Sequence, residues 1–213
     1  MATLVIVGID GSGKDHVANV IVDHTGWSRQ RGWFSGRARQ ERTTETKRRS
    51  RLAAEQVFLT TLPMTRHILP FAVGVLARAD ARQDTSPRST VLVSWTPLRL
   101  AALAHAAGST RIPRLTDRLM RAALLRRDAR AIVVRASPHT ISARLSQRRT
   151  GGRADRFDEF LDADEGFARR FDDALTVLTS RWFPTIEFDN DDASDEDIIA
   201  GTGVFRPSGT DLS

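Results

Sequence analysis

The residues best placed to do chemistry lie near the start of the chain, where Gly8-Ile9-Asp10-Gly11-Ser12-Gly13-Lys14 fits the pattern G-x-x-x-x-G-K. Small residues let successive backbone N–H groups curl around an anion, and a lysine at the seventh place reaches the outer oxygens of a polyphosphate. A plain glycine turn is the competing reading. The lysine at the required place, an apolar run before the loop and a helical pattern after it favour phosphate binding. Gly8, Asp10, Gly11, Ser12, Gly13, Lys14, Asp15 and His16 are therefore the candidate contacts for ATP, with Lys14 on the β and γ oxygens.

Position 15 departs from the pattern, because a Ser or Thr there normally offers a hydroxyl to Mg²⁺ and this chain has Asp15. Two outcomes are open. The carboxylate ligates the metal directly, or its charge weakens nucleotide binding. The expected one is Mg²⁺ held through Asp15 and Asp10, since Lys14 and the ion offset the added charge.

Further along, Arg148, Arg149, Arg153 and Arg156 surround Gly151-Gly152. A cationic arm with flexible joints, at about 147–158, is expected to close over the triphosphate. Arg153 and Arg156 are its foremost candidates for catalysis, and Arg149 for nucleotide contact. The run from Arg37 to Arg51 could receive an anionic acceptor, with Arg37 the first candidate, or simply be a solvated face. Among the aromatics Trp95 stands out. It follows an apolar strand at the end where open parallel sheets bind ligands, so it is a candidate wall for the acceptor.

These groups need a scaffold, and the apolar pattern supplies one. Residues 4–7, 90–93, 131–134 and 185–188 read as short strands, two of them fully apolar and 90–93 apolar after Thr90, as in buried parallel sheets. Helical patterns follow at 15–25, 98–107, 138–149 and 157–178, the third opened by Ser137 as N-cap and Pro138 in the first turn. Residues 27–51 read as an irregular loop, 52–81 as mainly helical, and the acidic run 189–197 as a solvated turn and helix cap. Strands alternating with helices predict an α/β fold, a doubly wound parallel sheet with helices on both faces. One domain over 1–200 is expected, with a loose tail at 201–213.

Composition narrows the classes. The chain has 213 residues, 40% hydrophobic and 27% charged, which is ordinary globular usage. No run reaches the roughly 18 apolar residues of a membrane span, and no targeting segment is read at the start, so a cytoplasmic address is expected. With no cysteine, disulfides and thiolate metal sites are excluded. The net charge of +6 is zoned, with arginines at 37–51 and 144–156 against an acidic stretch near the end. Zoning fits polyanionic small substrates better than a nucleic-acid partner. Pairing with a second copy of the chain stays open.

The loop Gly8-Ile9-Asp10-Gly11-Ser12-Gly13-Lys14 resembles the G-x-D-G-[SA]-G-K loop of thymidylate kinases. The strand at 131–134, Ser137-Pro138, the helix containing Arg144 and then Arg153-Ala154-Asp155-Arg156-Phe157-Asp158 are similar to that family's strand, helix and lid. Arg66-His67 resembles its acceptor helix. The resemblance implies a P-loop kinase that moves the γ-phosphoryl group of ATP to a nucleoside monophosphate such as dTMP, with Arg66 on the acceptor phosphate. After the strand at 90–93 the family has D-R-[YH], whereas this chain has Ser94-Trp95-Thr96. Either Asp10 and Asp15 supply the carboxylates, with Arg99 replacing the missing arginine, or the acceptor is a nucleoside or another small metabolite. A third reading is an ATP-binding module without transfer chemistry.

Overall fold

A computed structural model describes residues 2–31, 74–75, 77–78, 89–109, 114–124, 128–151 and 163–203. Its elements in chain order are β1 (Thr3–Val7), α1 (Lys14–Thr25), β2 (Ser28–Arg31), β3 (Thr90–Val93), α2 (Thr96–Ala106), α3 (Arg114–Leu124), β4 (Ala129–Arg135), α4 (Pro138–Thr150), α5 (Glu165–Trp182), β5 (Thr185–Asp189) and α6 (Asp195–Thr202).

The strands form one five-stranded sheet in the order β2-β3-β1-β4-β5, all pairs parallel. β1 is central, with Leu4 opposite Val91 of β3 and Arg130 of β4. Its residues are buried throughout, which is why every position after Thr3 is apolar. Alternate side chains serve two cores. Val5 and Val7, with Leu92, Ala131 and Val133, face α2, α3 and α5. Leu4 and Ile6, with Val91, Val93, Ile132 and Val134, face Val17, Ala18 and Ile21 of α1 and Ile198 of α6. Helices thus cover both faces, and the doubly wound sheet expected from the sequence is present.

One stretch differs in kind from the sequence reading. Ser28–Arg31 is a strand pairing with β3, where an irregular loop was expected. Its polar sequence hides it, because it lies at the end of the strand order and carries no continuous apolar run. The acidic stretch near the end does cap a helix. Ser194 accepts from the Asp197 N–H while the Asp197 carboxylate accepts from the Ser194 N–H, a capping box that starts α6. No helix among the described residues is long and apolar enough to cross a membrane.

Candidate phosphate and acceptor site

β1 delivers the chain to Gly8 at the C-terminal edge of the sheet, and the loop at 8–13 returns it into α1. Space dictates two of the glycines. A Cβ on Gly8 would lie 2.5 Å from the Val134 carbonyl oxygen, and one on Gly13 would lie 2.1 Å from Asn190 Nδ2. Gly13 also holds φ at 85°, the left-handed region that side chains resist. It is the residue just before the first turn of α1, whose leading N–H groups have no intrahelical acceptor.

Lys14 is buried, with only 2% of its surface exposed. Its ammonium donates to Asp10 Oδ1 at 2.7 Å and to the Ile9 carbonyl at 3.3 Å. The second oxygen of Asp10 accepts from Arg99 Nη2 at 2.9 Å. Asp10 therefore stands between two cations that reach it from α1 and from the first turn of α2. Arg99 is itself buried and lies over the Phe171 ring, 5.9 Å from its centroid.

β3 ends beside β1, and Ser94 follows it with φ at 53°, an uncommon conformation for a residue with a side chain. Its N–H donates to the Ile6 carbonyl at 2.9 Å, which ties the turn to β1. Trp95 then precedes α2. Val7, Gly8, Ser94, Trp95, Arg99, Phe171 and Leu175 line a small cavity at this edge. The indole of Trp95 is fully buried and meets Phe183 edge-on at 6.0 Å, so it is a packed wall of the core.

Asp15 accepts from Arg29 Nη2 at 2.5 Å, a link between α1 and β2. His16 sits on the exposed flank of α1, 3.3 Å from Asp195 of α6. Arg149 is exposed in the last turn of α4. Arg37, Arg66, Arg153 and Arg156, together with most of the expected lid, lie outside the described residues.

Two residues given no role from the sequence come against the outer side of the loop. Arg144 of α4 donates to the carbonyls of Gly11 and Ser12, and Asn190, just after β5, donates to Ser12 at 2.9 Å. Nearby, the Ser137 N–H donates to Asp191 at 2.8 Å. That bond, with further help from Thr140, holds the Asp191 carboxyl below its usual range. The hydroxyl of Ser12 is buried and finds no hydrogen-bond partner among the described residues. A buried orphan oxygen inside such a loop suits a bound phosphate.

No protein-family model matches the chain, and no curated protein matches it in sequence. Solved structures do resemble it. Deoxyadenosine kinase from M. mycoides with bound dATP superposes with a TM-score of 0.57 at 14% identity, covering 94% of this chain and 96% of that one. The same enzyme with bound dCTP gives 0.50 at 14% identity, over 93% and 95% of the two chains. At such identity the likeness speaks for the fold alone, which is the P-loop NTPase fold.

Proposed function

We propose that this chain is an ATP-dependent phosphotransferase whose acceptor is a nucleoside or a nucleoside monophosphate. The observation that carries this reading is the glycine loop between β1 and α1, with buried Lys14 on Asp10 and Arg99 alongside at the cavity between β1 and β3.

In this reading Lys14 exchanges the Asp10 carboxylate for phosphate oxygens, and the leading N–H groups of α1 take others. Asp10 stays anchored by Arg99, where it accepts the hydrogen bond and then the proton of the acceptor hydroxyl. Arg149, Arg153 and Arg156 close over the phosphates and offset their charge. Positioning and charge neutralisation account for most of the rate. Asp15, which shares its carboxylate with Arg29, and Asp10 are the hard oxygen donors that would hold magnesium. Because Arg99 takes one oxygen of Asp10, the other would serve either the ion or the acceptor hydroxyl, and Asp15 is the first choice for the ion. When bound, the ion would offset the charge of the phosphates.

The acceptor is the finer question. Likeness to a deoxyadenosine kinase supports a nucleoside, while the thymidylate kinase-like loop supports a monophosphate such as dTMP. The use of Arg99 by Asp10 favours the nucleoside, because a monophosphate needs a cation of its own. Arg66 and Arg37 are the candidates for that cation.

ADP release from Mg-ATP across a panel of deoxynucleosides, monophosphates and no acceptor tests the proposal. Turnover with deoxynucleosides is expected. Turnover with dTMP alone would move the assignment to the monophosphate. Tight ATP binding with no turnover on any acceptor would leave a nucleotide-binding module, the reading favoured by Ser94 where a carboxylate was expected.

A further inference from the structure

We infer that Arg144, assisted by Asn190, is the positioning residue that sets the phosphate loop in its anion-binding conformation; this rests on the functional reading above. Among the described residues Arg144 makes four hydrogen bonds, all to main-chain carbonyls. Nη1 donates to Gly11 and Ser12, each at 3.2 Å, and Nη2 donates to Asn190 at 2.9 Å and Asp191 at 3.2 Å. One planar guanidinium thus joins α4, the phosphate loop and the segment after β5. A lysine ammonium lacks the fork that spans such a set.

The consequence follows from the planarity of the peptide unit, in which C=O and N–H point in opposite directions. With the Gly11 carbonyl drawn outward to Arg144, the Ser12 N–H is turned inward, and it closes the loop on the Ile9 carbonyl at 3.2 Å. With the Ser12 carbonyl drawn outward to both Arg144 and Asn190, the Gly13 N–H must face the side away from them. That is the side a phosphate would occupy. Gly13 itself is trapped, since Asn190 Nδ2 and Arg144 Nη1 fill the space where a Cβ would go. The same peptides, released, would be free to rotate and point carbonyls at the anion.

The test is competition of ATP and AMP against a fluorescent nucleotide on the intact chain, in the wild type and in Arg144→Lys, Arg144→Ala and Asn190→Ala, with melting curves alongside. The loop grips the outer phosphates, so the wild type is expected to prefer ATP over AMP. Both Arg144 variants are expected to lower that preference about tenfold or more, the worth of one or two charge-assisted hydrogen bonds, and Asn190→Ala by a smaller factor. If Arg144→Ala does not fold, Arg144→Lys carries the comparison, since it keeps the charge and most of the stem. A folded Arg144→Lys with the wild-type preference overturns the inference, even if it melts earlier, because stability alone would be its role. A wild type that binds no triphosphate overturns the functional reading and this inference together.

Discussion

Arg99 and Asp10, 89 residues apart in the chain, meet at 2.9 Å, and the same carboxylate holds Lys14 at 2.7 Å on its other oxygen. In the proposed mechanism Asp10 occupies the ammonium that a triphosphate would claim, and Arg99 would keep the carboxylate at the acceptor edge once Lys14 left. Asp10→Asn is expected to lower kcat about a hundredfold or more and to leave ATP affinity equal or higher. Arg99→Gln is expected to lower kcat by a similar factor, with little change in ATP binding. Steady-state kinetics with ATP titrations check both, and an Asp10→Asn enzyme with wild-type kcat would remove the carboxylate from the mechanism.

Asp15 separates metal binding from a structural ion pair. If it serves magnesium, Asp15→Ser keeps a ligand of the usual kind there and turnover persists at raised magnesium, whereas Asp15→Ala requires still more. Activity measured against magnesium concentration checks this. Identical curves for all three proteins would leave Asp15 a structural role, with Arg29 as a partner.

Gly13→Ala meets both a left-handed backbone and the Asn190 amide. The conformation alone costs ~1–2 kcal/mol, and the clash requires the amide to move. ATP affinity is expected to fall about tenfold or more as the loop reorganises. Calorimetric titration against the wild type measures it.

How legible the site was depends on what joins its parts. The glycine loop between β1 and α1 was readable as a strand-to-helix turn because its residues are contiguous, and β1, β3 and β4 because each contains a run of buried apolar residues. Arg99 was offered, from its place one helical turn past Trp95, as the replacement for the missing arginine on the acceptor side, but its partner Asp10 lies too far along the chain for any spacing to reveal. Arg144 and Asn190 were harder still. Their acceptors are main-chain carbonyls, which leave no mark on residue type, so only folded geometry shows the link. Trp95 illustrates the converse. Its place after β3 suggested a ligand wall, and packing on Phe183 makes it a full member of the core as well.

Stability should carry a pH signature at Asp172 of α5. Burial pushes its carboxyl above the usual range, against the opposing pull of Arg135, and Oδ1 has no hydrogen-bond partner among the described residues. A raised carboxyl favours the protonated form in the folded chain. Its stabilising contribution is present below the unfolded pKa of about 3.9 and is lost as pH rises through the folded value. Asp172→Asn, which can still accept from Arg135, is therefore expected to melt higher than the wild type at neutral pH. The difference should vanish on acidification. Melting curves across pH check the sign, and a lower neutral Tm for the variant would contradict it.

The most direct measurement is calorimetric titration of ATP with magnesium into the wild type and Lys14→Ala. Removing a buried cation that grips phosphate oxygens is expected to weaken binding about thirtyfold or more. A wild type that gives no heat, or a folded Lys14→Ala that binds ATP as tightly as the wild type, would contradict the phosphate site itself.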